Sequence, residues 1–176
     1  MKKIILYILI FSLSLNAKLL ISPIDAMKQS FGENSEISKK NILVSKSQIK
    51  IIEQDAKAKT TTKIFRVFKA KIDDKILGYG IILKRKIRTK SAVILYIISN
   101  DGVLKSIDII AFNEPLEYIP SKTWIKQFNE LPTNKMLKIS QDIPTITGAT
   151  MSARSIVDAS RIAFAFYKEI IKKGKL

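Results

Sequence analysis

One short segment near the C-terminus combines hydroxyl side chains with a flexible backbone position. It reads Thr147-Gly148-Ala149-Thr150, with Ser152 two residues beyond. Glycine adopts backbone angles closed to other residues and lets another molecule approach closely. An amphipathic helical pattern follows, with Ser152 as its expected N-cap, so the positive end of a helix should lie beside both threonine hydroxyls. Such a site suits a phosphate, bound or covalently attached, and a plain helix entry capped by Thr and Ser is the alternative.

The residue types that are missing narrow the chemistry further. The chain has no cysteine and no histidine. This excludes thiolate and imidazole metal sites, Ser-His-Asp and Cys-His nucleophiles, and CxxC redox pairs. It also removes the usual ligands of iron–sulfur clusters and the attachment motif of c-type haem. Any electron transfer must therefore use a cofactor held by other groups, with a hydroxyl as the plausible covalent anchor.

The hydroxyl-containing segment resembles a known motif. Thr147 to Thr150, with Ser152, is similar to the (S/T)-G-A-T-x-(S/T) flavinylation motif of the FMN-binding domain family. That family includes the C subunit of the sodium-pumping NADH:quinone reductase and the G subunit of Rnf-type complexes. The resemblance extends over residues 65–167 and implies that Thr150 carries FMN through a phosphoester bond. A flavin transferase would attach it outside the cytoplasm, with FAD as donor and a divalent metal ion.

The resemblance also suggests which residues surround the flavin. The motif residues Thr147, Gly148, Ala149 and Ser152 are expected at its phosphate. Aromatic or acidic residues in the family-like segments are candidates for the rest of the pocket: Tyr79, Tyr118, Trp124 and Glu114. Ordinary core packing is the alternative for each aromatic residue. A solvated loop carboxylate is the alternative for Glu114.

One position departs from the family pattern. The family usually has Asp three residues before the first Ser or Thr of the motif, where the transferase is thought to read it. This chain has Pro144 there, and the nearest acid is Asp142. We expect Asp142 to serve through a shifted loop. Slower modification, or FMN held without the covalent bond, are the alternatives.

Hydrophobic periodicity predicts the elements that would position this segment. Helices are expected over residues 22–31, 47–57 and 121–129, and from Ser152 onward, while 141–150 should be loop. Strands are expected over residues 64–72, 77–87, 92–98 and 103–112. Turn residues such as Asn100-Asp101-Gly102 separate them, so they should form a four-stranded antiparallel meander. The predicted class is α+β, an antiparallel sheet with helices packed against it.

The N-terminus has the three parts of an export signal. Met1-Lys2-Lys3 is basic, Ile4 to Leu15 is uncharged, and a small residue, Ala17, ends the run. We therefore expect a signal peptide at 1–17 and a single domain at 18–176. An uncleaved N-terminal anchor is the alternative. Either way the domain is expected outside the cytoplasm, in the periplasm or at the outer face of the inner membrane.

The net charge of +16, from 31 Lys+Arg against 15 Asp+Glu, raises the question of anionic partners. Only five of the basic residues are Arg, the better bidentate phosphate donor, so specific nucleic-acid binding is not expected. The basic run from Lys84 to Lys90 could meet anionic lipid, nucleic acid or the acidic face of a redox partner. It lacks aromatic residues that would stack on bases. A solvated hairpin loop is the plainer interpretation.

These observations lead to three functional hypotheses. The first is an exported electron carrier with FMN on Thr150, relaying electrons between a membrane reductase and an extracytoplasmic acceptor. It would be an electron-transfer protein or a subunit of an oxidoreductase system, more than a stand-alone enzyme. The second is a non-covalent flavin- or ligand-binding or accessory module of the same fold. The third is a polyanion-binding protein.

Overall fold

A six-stranded antiparallel sheet organises residues 18–174, the part of the chain that this computed structural model describes. The strands are β1 (Lys18–Leu19), β2 (Glu36–Leu43), β3 (Ile64–Ile72), β4 (Lys75–Lys86), β5 (Ser91–Ser99) and β6 (Leu104–Phe112). Their order across the sheet is β1-β6-β5-β4-β3-β2. Together with the helices packed on it, the sheet makes one α+β domain, which confirms the predicted class.

The four predicted strands are β3 to β6, and they form the expected meander. The predicted count of four was nevertheless too low, because an edge strand lies on each side. β2 pairs with β3 along its whole length, and β1 pairs with the end of β6. Neither has a clear sequence pattern. β2 is exposed at most positions, so it lacks the alternation of polar and apolar residues that identifies a strand, and β1 has only two residues.

Four α-helices accompany the sheet: α1 (Pro23–Phe31), α2 (Lys46–Ala56), α3 (Lys122–Lys126) and α4 (Thr150–Phe166). All four were predicted, although α3 is shorter than the nine residues expected. A wider, π-helical turn over Tyr167–Ile171 extends α4. Helix α4 packs against α2, and both lie on one face of the sheet, whereas α1 is the one described helix on the other.

The larger core lies between the sheet and the α2–α4 layer. Its members include Phe65 from β3 and Phe166 from α4, whose rings stack with their centres 4.4 Å apart. Tyr96 of β5 is fully buried there, and its hydroxyl donates to the Ile156 carbonyl 3.2 Å away. Because α4 is anchored along most of its length, its first turn is held in a fixed position relative to the sheet.

The smaller core lies under α1, and two glycines of β4 allow that helix to approach closely. A Cβ atom on Gly78 would lie 2.4 Å from the Phe31 ring, and one on Gly80 would lie 2.6 Å from the Met27 sulfur. Helix α1 has nine residues and is therefore about 13 Å long. It covers the part of the sheet near these glycines, and no other helix within residues 18–174 covers the rest of this face.

No helix within residues 18–174 is long and apolar enough to cross a membrane. The predicted signal peptide at 1–17 lies outside the described residues.

Candidate functional site

The loop that carries the Thr-Gly-Ala-Thr motif leads directly into α4. The helix begins at Thr150, with Ala149 as the N-cap residue. The expectation that Ser152 is the N-cap was therefore wrong. Ser152 lies in the first helical turn, is buried, and donates its hydroxyl to the Tyr118 carbonyl 2.7 Å away. Its role is to tie the start of α4 to the segment around Tyr118.

The N-terminus of α4 differs from those of the other described helices. Ser22, Ser45 and Ser121 cap α1, α2 and α3, and each side-chain oxygen accepts a backbone N–H of the first turn. Ala149 has no such oxygen, and no side chain caps α4. The first N–H groups of a helix have no partner within the helix itself. Those of α4 are therefore available to an external acceptor.

Gly148 sets the backbone path just before the helix. Its φ is +79°, in the left-handed region that side chains disfavour. A Cβ atom at Gly148 would contact nothing within 4 Å, so the backbone angle is what requires glycine here, not a lack of space.

The two threonines of the motif differ in exposure. The Thr150 side chain is half-buried, and its hydroxyl donates to the Ile146 carbonyl 3.2 Å away. Thr147 is exposed.

A groove of about 420 Å³ lies at this helix start. It is lined by Arg88, Tyr118, Gly148, Ala149, Thr150, Met151 and Ser152. The Arg88 guanidinium sits over the Tyr118 ring, 4.7 Å from its centre. A cation in that position is attracted by the negative face of the aromatic ring. The groove thus places a fixed positive charge beside the uncapped end of α4.

Glu114 holds the turn that presents Arg88. This turn joins β4 to β5, and one Glu114 carboxylate oxygen accepts the backbone N–H groups of Arg88, Thr89 and Lys90, at 3.1, 2.6 and 2.7 Å. These backbone donors, that of Lys90 foremost, lower the pKa of Glu114. The structure therefore places Glu114 behind the groove, where it fixes the turn, and not among the lining residues.

Two aromatic candidates lie elsewhere in the fold. Trp124 is buried edge-on against Phe128, and its indole N–H donates to the Pro144 carbonyl 2.8 Å away. It anchors the motif loop from behind. Tyr79 is buried in the larger core with its ring edge-on to Tyr167, 6.4 Å between centres. Neither is among the residues that line the groove.

Asp142 is engaged within its own loop. Its carboxylate accepts the Lys138 backbone N–H at 2.9 Å and pairs with the Lys135 ammonium at 3.2 Å. The Lys138 N–H and the Lys135 side chain lower its pKa. Asp142 is exposed and does not line the groove.

Two lining residues, Arg88 and Met151, were not identified from the sequence. Arg88 belongs to the basic run at 84–90, where nothing local separates it from its neighbours. The acid that fixes its turn, Glu114, is 26 residues away in sequence, and its burial is known only from the fold, so no local signal identified Arg88. Met151 lies between Thr150 and Ser152, and it is 51% exposed.

The structure thus gathers part of the predicted site in one groove. The predicted residues that line it are Gly148, Ala149, Thr150, Ser152 and Tyr118. In comparisons with known proteins, the sequence matches no family model and no curated protein. The functional interpretation accordingly depends on the motif and on the geometry of this groove.

Proposed function

We propose that this chain is an exported flavoprotein of the FMN-binding domain type. It carries FMN on Thr150 through a phosphoester bond and relays electrons between a membrane reductase and an acceptor outside the cytoplasm. One observation supports it most: the Thr150 hydroxyl, the uncapped start of α4 and the Arg88 guanidinium meet in a single groove.

The groove has the donors that a phosphate requires. The free N–H groups of the first turn of α4 and its positive helix end favour a bound anion. Arg88 adds a permanent charge and planar donors that match phosphate geometry. Gly148 keeps the backbone beside Thr150 free of side-chain atoms. A phosphate on the Thr150 oxygen would therefore have donors on two sides.

The remaining walls suit a flat ring that stays partly exposed. Tyr118 offers an aromatic face, and Met151 offers a polarisable side chain that contacts aromatic rings favourably. The volume of about 420 Å³ lies within the usual range for small-molecule sites, about 300–1,000 Å³. The bound flavin supplies the redox chemistry. An open groove leaves its edge accessible to a partner protein, as an electron carrier needs.

Attachment is a group transfer from FAD catalysed by a flavin transferase with a divalent metal ion. The Thr150 oxygen forms a bond to the FMN phosphorus, and the bond between the two phosphates of FAD breaks. AMP leaves, and the hydroxyl proton passes to solvent. Thr150 must first release its hydrogen bond to the Ile146 carbonyl. The new phosphodiester retains one negative charge, which Arg88 and the helix start would stabilise.

A second function, non-covalent binding of flavin or another anionic ligand in the same groove, is favoured by Asp142. Asp142 is the expected substitute for the family's Asp that the transferase recognises. Its carboxylate is occupied by Lys138 and Lys135. If the transferase cannot reach it, the groove would bind its ligand without a covalent bond.

Denaturing electrophoresis separates these two functions. The full chain would be co-produced with a flavin transferase in an exporting host, purified, and run on a denaturing gel under ultraviolet light. A fluorescent protein band supports covalent attachment. A yellow native protein whose flavin is released by denaturation supports the non-covalent function. Colourless protein, with no flavin on the gel and none released by denaturation, contradicts both covalent attachment and non-covalent flavin binding.

A further inference from the structure

Six residues, one from each strand, lie in a row across the open half of the α1 face of the sheet. Strand pairing places Leu19 beside Ala111, Ala111 beside Val93, Val93 beside Lys84, and Ile64 beside Leu43. Arg66 of β3 pairs with Ile82 of β4, and the two strands are antiparallel. Ile64, two residues before Arg66, is therefore level with Lys84, two residues after Ile82, and completes the row. We call this set the cross-sheet row: Leu19, Ala111, Val93, Lys84, Ile64 and Leu43.

Five of the six residues of the cross-sheet row are apolar, and the large side chains at its two ends are exposed. Leu43, Leu19 and Ile64 are 75%, 62% and 56% exposed, and the other apolar members are small or partly buried. No described helix covers this end of the sheet, since α1 packs over Gly78 and Gly80. Neighbouring exposed large apolar side chains, here Ile64 and Leu43, are typical of an interaction site.

Basic side chains accompany the row. Lys84 belongs to it, and Arg66 lies two residues along β3 from Ile64, on the same face. Both are exposed. The row itself contains no acidic residue. The combination of large apolar side chains with lysine and arginine is what an anionic lipid surface attracts.

The chain enters the domain at the same end of the sheet. Lys18 pairs with Phe112, one residue beyond the row, so residues 1–17 join the fold beside Leu19. That segment contains the uncharged run from Ile4 to Leu15, preceded by Lys2 and Lys3. Where this segment stays attached, as in the uncleaved-anchor alternative, it holds the chain at the bilayer. The entry point therefore brings the row close to any membrane that holds the N-terminal segment.

We propose that the cross-sheet row is the surface through which this domain rests on an anionic membrane. Leu19, Ile64 and Leu43 would enter the headgroup region, and Lys84 and Arg66 would pair with lipid phosphates. Electrostatic attraction to the surface acts within about 10 Å, the Debye length at 0.1 M salt, so it needs this close approach. The inference goes beyond the redox function and does not require a flavin.

The proposal also orients the groove. Strand β4 ends at Lys86, two residues beyond Lys84, and the next turn carries Arg88. Contact along the row therefore holds the Arg88 turn at the membrane end of the sheet.

Site-specific quenching tests the contact. The chain has no cysteine, so one introduced cysteine gives one label site. Ile64→Cys in the row and Asp74→Cys in the turn at the opposite end of β4 would each carry a polarity-sensitive fluorophore. The full-length chain would be reconstituted with vesicles of phosphatidylcholine and phosphatidylglycerol, with or without brominated acyl chains.

We expect the label at position 64 to shift to the blue and to be quenched by brominated lipid, whereas the label at 74 does neither. Equal behaviour at both positions, or no vesicle association at all, overturns the proposal. So would a blue shift at 64 that appears only when an acidic protein replaces the vesicles, which would indicate a protein partner instead.

A charge-reversal pair provides the matched control. Arg66→Glu with Lys84→Glu should abolish the quenching at position 64. Lys46→Glu with Lys50→Glu changes the charge equally on α2, at exposed positions on the other side of the sheet, and should leave it unchanged. Equal loss in both pairs would show dependence on net charge alone and would also overturn the proposal.

Discussion

The Arg88 guanidinium lies 4.7 Å from the centre of the Tyr118 ring, and this pair forms one wall of the groove at the start of α4. Two loops that are distant in sequence are thereby joined. The Glu114 carboxylate accepts the backbone N–H of Arg88 and so fixes the turn. The Ser152 hydroxyl donates to the Tyr118 carbonyl. The wall is held by hydrogen bonds on both sides, so the site is organised before any ligand binds.

Arg88 should contribute directly to anion binding. A charge-assisted hydrogen bond is worth about 1.5–3 kcal/mol, so Arg88→Ala should weaken FMN binding by the unmodified chain about 10- to 100-fold. Fluorescence titration with FMN measures this. Lys90→Ala removes a charge from the same turn without altering a lining residue. A similar loss in both variants would show that only net charge matters.

Glu114 should stabilise the fold in a pH-dependent way. Its pKa is lowered by the backbone N–H groups of Lys90, Thr89 and Arg88. A depressed folded pKa gives stability that is complete above the unfolded value, about 4.3, and is lost as pH falls through the folded value. Glu114→Gln should therefore unfold at lower urea concentration at pH 7, with a deficit that shrinks on acidification below about 4.3. A deficit that is constant with pH would contradict this.

Gly148 should be required for its backbone angle. Its φ of +79° strains any residue with a Cβ atom, although no neighbour would collide with that atom. Gly148→Ala should cost about 1–2 kcal/mol in urea unfolding. Gly148→Asn should cost clearly less, because Asn tolerates left-handed angles. Equal costs would contradict a requirement for the left-handed backbone angle.

Trp124 should hold the motif loop through a single hydrogen bond. Trp124→Phe keeps an aromatic ring against Phe128 but removes the donor to the Pro144 carbonyl. The lost hydrogen bond should cost about 1 kcal/mol, beyond the cost of the buried volume that Phe leaves unfilled, and hydrogen exchange in the loop before α4 should be faster. Tyr167→Phe is the matched control, since it removes one bond to the Asn100 carbonyl. It should cost a similar amount without faster exchange in the motif loop.

Local patterns predicted most of the scaffold. The meander of β3 to β6 follows from β-branched and aromatic runs separated by turn residues, and α1, α2 and α4 follow from apolar periodicity with recognisable ends. Strand β2 could not be predicted, because an exposed edge strand does not alternate. The start of α4 was misplaced by two residues, since Ser152 is a favourable cap by type but is used in a tertiary hydrogen bond.

The site was predictable only where it is local. The Thr-Gly-Ala-Thr segment was identified because its residues are adjacent in sequence. Arg88 could not be identified from the sequence, because its place in the groove depends on the pairing of β4 with β5 and on Glu114 in a later loop. Trp124 was treated as either ring wall or core, and its contact with Pro144 gives it a third role as a loop anchor.

Intact mass of the exported chain, co-produced with a flavin transferase, tests the central claim most directly. We expect a mass increase of one FMN less one water. The increase should disappear in Thr150→Val and persist in Thr147→Val, which loses a nearby exposed hydroxyl. An unmodified mass in the wild-type chain, or an increase that survives Thr150→Val, would contradict it.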